Sequence, residues 1–138
     1  MSSWGYHTFQ DEIACDWLED LHDSDPIPFF VKCLDLAGLD HIDFLACVGV
    51  VCTAEMLFGI KSGPRSGLPE AAVAWCEQYR DLNCAFLIPH AIDALRLVLT
   101  DCSEMWVRWD DEADRFDSWL EHQQKLVEGL RSVLREGI

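Results

Sequence analysis

The chain has 138 residues, half of them apolar, and its 25 Asp and Glu against 10 Lys and Arg give a formal net charge of −15 at pH 7. This length predicts one domain over residues 1–138, and the apolar content, with six Trp and seven Phe, excludes intrinsic disorder. A negative field of this size repels phosphate backbones and anionic lipids, so we expect neither nucleic acid nor a membrane as a partner.

The segment from Ser2 to Gln10 comes first, and it shows neither a helical nor a strand period. Trp4 and Phe9, separated by the flexible Gly5, predict an irregular N-terminal arm that folds back over the rest of the chain. We expect Trp4 to be a structural anchor of this arm.

A first amphipathic helix is predicted from Asp11, because apolar residues recur at Ile13, Trp17 and Leu21 with the i, i+4 spacing of a helix face. The run from Asp23 to Pro28 ends this helix. It also begins a second helix, since proline is tolerated in a first turn.

A third helix is predicted to be apolar nearly all round and therefore central, with Asp40 as its N-cap. A loop is expected from Gly59 to Gly67. A fourth helix is predicted from near Pro69 to about Asp81, and a fifth from Pro89 through Leu99. A short helical turn capped at Ser103-Glu104 follows. The final predicted helix runs from Phe116 through Val133, and Gln123 interrupts its apolar stripe.

No segment carries a strand pattern, and hairpin dipeptides such as Asn-Gly are absent from the sequence. The predicted fold is therefore all-α, a single compact bundle of five or six helices with an irregular N-terminal arm.

The sequence favours a cytoplasmic location and gives no reason to expect a cofactor. Its N-terminus is acidic and has no basic segment followed by an apolar one, as a secretory signal would. The longest apolar run, Phe44 to Ile60, is short for a bilayer span of about 20 residues, so a buried helix is expected instead.

The seven cysteines are interpreted as reduced, small hydrophobic residues. Their number is odd, and no C-x-x-C pair occurs. A helical di-iron site needs two Glu-x-x-His pairs, and the sequence has only Glu19-x-x-His22. We therefore predict no metal site.

Glu55 is the one chemically unusual residue, because it is the only side chain between Phe44 and Ile60 that is charged at neutral pH. A buried carboxylate needs a partner, and an indole N–H, a helix N-terminus, Arg65 or Arg96 could supply one. The alternatives are a site acid that faces a cleft and a solvent-facing position at the helix edge.

The beginning of the chain resembles a family of small bacterial proteins catalogued as a domain of unknown function, number 4259. The residues that carry this resemblance are Trp4, Gly5, Phe9, Asp11, Ala14, Asp16 and Trp17, followed by Ala54-Glu55, Leu68-Pro69-Glu70, Trp75 and Ser103-Glu104 before Trp106. The resemblance implies a compact bacterial helical domain and no established activity. It makes Trp4, Gly5, Phe9, Asp11, Asp16, Trp17 and Glu55 candidate functional residues, the alternative being that they hold the arm against the first and central helices.

Two functions remain open from the sequence. Neither a G-x-S-x-G elbow nor a cysteine nucleophile signature occurs, so no catalytic residue is predicted. The charge favours a non-enzymatic protein that binds a basic protein partner, as small acidic inhibitors or immunity-type proteins do. The alternative is a small enzyme or ligand-binding protein with a helix-lined pocket around Glu55.

Overall fold

The structure is a computed structural model that describes residues 12–38 and 40–136, apart from the side chain of Ala113. The all-α prediction is confirmed for this part of the chain, which contains helices and no strand. The count is seven α-helices, slightly above the predicted five or six: α1 (Glu12–His22), α2 (Pro26–Asp35), α3 (Phe44–Ser62), α4 (Glu70–Gln78), α5 (Ile88–Val98), α6 (Glu104–Asp110) and α7 (Ala113–Glu136).

Helix α3 is the centre of the fold, and every other α-helix packs against it. By length and composition α3 is the one described helix that could cross a membrane, with a mean hydropathy of 1.8. However, 83% of that apolar window is buried among the other helices. This burial is what the core helix of a helical bundle shows.

The N-cap of α3 is Asp43 and not Asp40 as the sequence suggested. The Asp43 carboxylate accepts a hydrogen bond from the backbone N–H of Ala46 at 2.8 Å. Asp43 stands immediately before the first helical residue, Phe44, whereas Asp40 is three residues further upstream and cannot reach the free N–H groups of the first turn.

The C-terminal end of α3 also differs from the prediction, because the helix continues through Gly59 to Ser62. Glycine usually weakens a helix, but here it allows α4 to approach closely. A Cβ atom at Gly59 would lie 2.6 Å from the Cys76 sulfur. The expected loop therefore begins at Gly63, four residues later than the sequence indicated.

The segments that precede α3 and α6 are joined by an isolated parallel bridge between Ile42 and Ser103. The backbone N–H of Ile42 donates to the Cys102 carbonyl at 3.2 Å, and the N–H of Glu104 donates to the Ile42 carbonyl at 2.9 Å. Ser103 is buried and caps α6 as predicted, because its hydroxyl accepts from the N–H of Trp106 at 3.2 Å. The bridge thus fixes the starting points of two helices together.

Candidate functional site

The loop that follows α3 returns the chain toward the helix it has just left. Gly63 ends α3 with a φ of 97°, a conformation that residues with a Cβ rarely adopt, and its N–H donates to the Gly59 carbonyl at 3.1 Å. Pro64 follows and cannot continue the helix. As a result Arg65 lies beside Glu55, ten positions earlier in the sequence.

The side chains of Arg65 and Glu55 form a two-point ion pair. Arg65 Nε donates to Glu55 Oε2 and Arg65 Nη2 donates to Glu55 Oε1, both at 2.7 Å. The Glu55 side chain is completely buried, and the Arg65 side chain is 16% exposed. A guanidinium holds a carboxylate most firmly in this parallel geometry, so the buried negative charge of Glu55 is compensated.

Arg65 also binds α7 through His122. Its Nη1 donates to the His122 carbonyl at 3.0 Å, and its Nη2 lies 3.0 Å from His122 Nε2. One guanidinium therefore connects the central helix, the loop after it and the final helix.

An open cleft of about 460 Å³ lies on the solvent side of this connection. Glu55 does not line the cleft, because Arg65 separates it from solvent. The cleft is lined by Arg65, Ser66, Asp117, Ser118, Glu121, His122 and Lys125.

The charges of the cleft are mixed. Lys125 pairs with Glu121 at 3.3 Å, and the charge of Arg65 is compensated by Glu55. Asp117 forms no ion pair with any residue that the structure describes. The two serine hydroxyls add neutral hydrogen-bonding groups, so the cleft is suited to a small polar molecule and not to an apolar one.

The structure places the two described candidate residues of the N-terminal signature, Asp16 and Trp17, in different environments. Trp17 is buried, and its indole N–H donates to the Cys33 sulfur at 3.4 Å while its ring stacks on Phe30. Asp16 is exposed on the opposite side of α1. Neither lines the cleft at Arg65. The candidates Trp4, Gly5, Phe9 and Asp11, and the anchor predicted at Trp4, lie outside the described residues.

Five of the seven cysteines are buried, and none of the seven forms a disulfide. Burial raises the pKa of the Cys76 thiol to about 12, and the nearby carboxylates of Glu55 and Glu77 add to this effect. Burial also raises the pKa of Cys47 and Cys84 above the ordinary value. These thiols stay protonated at neutral pH and are poor nucleophiles and poor metal ligands.

The described residues contain no group of three or more His, Cys, Asp or Glu side chains arranged to hold a metal ion. Glu19 and His22, the single Glu-x-x-His pair, are both exposed on α1.

Sequence reasoning identified Glu55 and offered Arg65 as one of its possible partners, but it missed His122. The contact between Arg65 and His122 joins residues 57 positions apart, and no local spacing predicts such a contact. The one available signal was the polar residue that follows His122, Gln123, which interrupts the apolar stripe of the final helix. That interruption lies one residue after His122, where α7 contacts Arg65.

Residues 2–122 match the family described as a domain of unknown function, DUF4259. The chain belongs to this family. The matched range includes Glu55 and Arg65 and ends at His122, so the DUF4259 region contains the whole ion-pair connection. The greater part of α7, from Gln123 onward, follows it. No curated protein and no solved structure matches the chain.

Proposed function

We propose that this DUF4259 protein is a non-enzymatic binding protein, of the inhibitor or immunity type, whose acidic α1 surface binds a basic region of a partner protein. The observation that carries the proposal is a set of exposed carboxylates in and just after α1, none of which forms an ion pair with any described residue. The set, called the α1 acidic surface below, comprises Glu12, Asp16, Glu19, Asp20, Asp23 and Asp25.

The α1 acidic surface lies opposite the face that holds the helix in the bundle. Glu12, Asp16, Glu19 and Asp20 follow i, i+3 and i, i+4 spacing, which places them on one face of a helix. The other face of α1 is buried through Ala14, Trp17, Leu18 and Leu21. The acidic face is therefore free to meet another molecule.

Like charges at this spacing destabilise a helix by about 0.2 to 0.5 kcal/mol per pair. Five of the ten Lys and Arg residues form ion pairs elsewhere in the fold, and no described basic residue forms an ion pair with the α1 acidic surface. The five are Arg65, Arg108, Arg115, Lys125 and Arg131. A basic partner would supply the missing positive charge. It would also be steered to the surface by the net charge of −15.

The contacts of Glu55 argue against its use as a catalytic acid. Its side chain is completely buried, and Arg65 occupies both of its oxygens. A general acid or base must come within hydrogen-bonding reach of substrate. This favours a binding role over the enzyme alternative.

The proposal is tested by retention of proteins from a source-cell lysate on immobilised wild-type protein and two variants of equal net charge. One variant, Asp16→Asn/Glu19→Gln/Asp20→Asn, neutralises the α1 acidic surface. The control, Asp81→Asn/Asp93→Asn/Glu136→Gln, neutralises three exposed carboxylates elsewhere.

At about 50 mM salt, we expect the wild type and the control to retain a basic protein that the α1 variant does not retain. This protein should be released at about 300 mM salt, because screening weakens contacts between exposed charges. Equal retention by the two variants would show that α1 is not the binding surface. Retention of no specific protein by the wild type would contradict the proposal as a whole.

A second candidate function is binding of a small polar ligand in the cleft at Arg65, favoured by the 460 Å³ volume beside a rigidly held guanidinium. Chemical-shift mapping with a panel of small amines, carboxylates and sugars tests it. Binding that is lost in Ser118→Leu, which fills the cleft, and kept in the exposed α7 variant Gln124→Leu would support it. Shifts that are identical in both variants would exclude the cleft as the site.

A further inference from the structure

The contact between Arg65 and His122 fixes the protonation state of the histidine. A guanidinium carries five N–H donors and no acceptor, and it stays charged in proteins. Because Arg65 Nη2 lies 3.0 Å from His122 Nε2, the ring nitrogen must be the acceptor. The imidazole in this contact is therefore neutral and carries its proton on Nδ1.

Arg65 cannot turn away to accommodate a second proton on the ring. Two hydrogen bonds of 2.7 Å hold its guanidinium against Glu55, whose carboxylate is completely buried. Separating this pair would take the guanidinium away from a completely buried carboxylate, which is strongly unfavourable. If the contact must break, the imidazole is the group that moves.

We propose that the Arg65–His122 contact is an acid-sensitive switch that changes the cleft. Protonation of Nε2 would place two donors and two positive charges 3.0 Å apart, so the ring loses its contact with Arg65 and adds a positive charge to the cleft that both residues line. The backbone bond from Arg65 Nη1 to the His122 carbonyl is not titratable, and it keeps α7 docked while the ring moves.

The described charged groups near His122 come from α3, from the loop after it and from α7. Glu55 approaches from α3 but is already occupied by Arg65, which approaches from the loop. On α7, Lys125 and Glu121 pair with each other, and Asp117 lines the same cleft without a described ion-pair partner. The added charge therefore lies in a cleft whose lining includes the carboxylate of Asp117. The result is a cleft with one more positive charge at a pH lower than about 6.5, the value at which histidine ordinarily takes up a proton, because the contact with Arg65 opposes protonation.

The first test is the tautomer of His122 in the wild-type protein, read from long-range ¹⁵N–¹H NMR correlations of the imidazole at pH 7.5. We expect the proton on Nδ1, and on acidification a doubly protonated ring whose shifts report loss of the Arg65 contact. A proton on Nε2 at pH 7.5 would overturn the proposal. This measurement needs no substitution.

The second test compares unfolding of wild type and His122→Gln at pH 7.5 and 5.5. A Gln carbonyl can accept from Arg65 but cannot be protonated. In the wild type the unfolded chain takes up a proton that the native contact excludes, so acidification raises the unfolding equilibrium constant by up to about tenfold through this residue.

This part of the acid response should disappear in His122→Gln and persist in the control His90→Gln. His90 is partly exposed and lies 3.6 Å from Asp35, away from the cleft. An acid response of His122→Gln equal to that of the wild type would refute the switch.

Discussion

The ion pair between Glu55 and Arg65 is the residue-level feature on which the candidate site depends. Taking two charges out of water is costly, and their attraction offsets this only when the geometry is good. Here both carboxylate oxygens are bound at 2.7 Å. The pair therefore specifies the path of the loop after α3 more than it adds net stability.

The first prediction concerns the loss of one partner of this buried ion pair. Glu55→Gln or Arg65→Met alone should lower the free energy of unfolding by about 3 to 5 kcal/mol, because each leaves a polar or charged group without its partner. The double variant Glu55→Gln/Arg65→Met should lower it less than the two single losses added together. Urea denaturation measures all of these values.

The matched control is the surface pair Arg108–Glu104, with an N···O distance of 2.9 Å and both side chains substantially exposed. Glu104→Gln should change stability by at most about 1 kcal/mol, as exposed ion pairs do. Losses of similar size at Glu55 and Glu104 would contradict the assigned role of the buried pair.

The second prediction concerns Gln123, whose side-chain Oε1 is buried and has no hydrogen-bond partner among the described residues. A buried acceptor left unsatisfied costs about 1 to 3 kcal/mol. Gln123→Met keeps the length of the side chain and removes this acceptor, so we expect the free energy of unfolding to rise by about 1 to 2 kcal/mol. The exposed neighbour provides the control, since Gln124→Met should be close to neutral. A loss of stability in Gln123→Met would show that the amide is satisfied in solution.

The sequence predicted part of this residue-level arrangement. Glu55 stood out because one carboxylate in an apolar segment must find a partner, and Arg65 was among the donors considered. The choice of Arg65 over Arg96 depends on how Gly63 and Pro64 reverse the chain, and the position of His122 depends on how α7 packs. Neither is encoded in local spacing.

At the element scale, helix existence could be predicted from apolar periodicity and capping residues, whereas two boundaries of α3 could not. The sequence pointed to Asp40 as the N-cap, but Asp43 caps the helix because it stands immediately before the first helical residue, Phe44. Gly59 resembled the start of a loop because glycine disfavours helices. The packing of α4 against α3 at Gly59 outweighed that propensity.

The third prediction tests this helix contact. Gly59→Ala would normally help a helix by up to about 1 kcal/mol, yet the added Cβ would lie 2.6 Å from the Cys76 sulfur. Overpacking of this kind should lower the free energy of unfolding by about 1 to 3 kcal/mol.

The control for this contact is Gly38→Ala, where an added Cβ meets nothing within 4 Å and stability should hardly change. Combining Gly59→Ala with Cys76→Ala removes the clashing sulfur. The double variant should therefore be more stable than the sum of the two single effects predicts. Strict additivity would rule out the close contact as the reason for glycine at this position.

At the scale of the whole molecule, the fold separates its thiols into two classes. Cys15 and Cys102 are exposed, and the other five cysteines are buried. As a fourth prediction, titration of the native protein with a thiol reagent should find two rapidly reacting groups, and titration after unfolding without reductant should find seven. Cys102→Ser should remove one rapidly reacting group and leave the slow ones unchanged. More than two fast thiols would mean that the bundle opens readily.

The fifth prediction follows from the same burial and concerns the pH dependence of stability. The folded state raises the pKa of Cys76 from 9.0 to about 12 and also raises the pKa values of Cys47 and Cys84. Between pH 9 and 12 the unfolded chain releases thiol protons that the native protein retains. The stabilisation is therefore complete below pH 9 and is lost as pH rises through the folded pKa, by up to about 1.4 kcal/mol per pH unit for each thiol. Urea midpoints measured from pH 8 to 10.5 should fall accordingly.

Cys76→Ala should be less stable at pH 8 because of the cavity but should show a shallower fall of the urea midpoint with pH. The exposed variant Cys102→Ala should keep the wild-type slope. Parallel curves for Cys76→Ala and wild type would mean that deprotonation of Cys76 is not linked to folding.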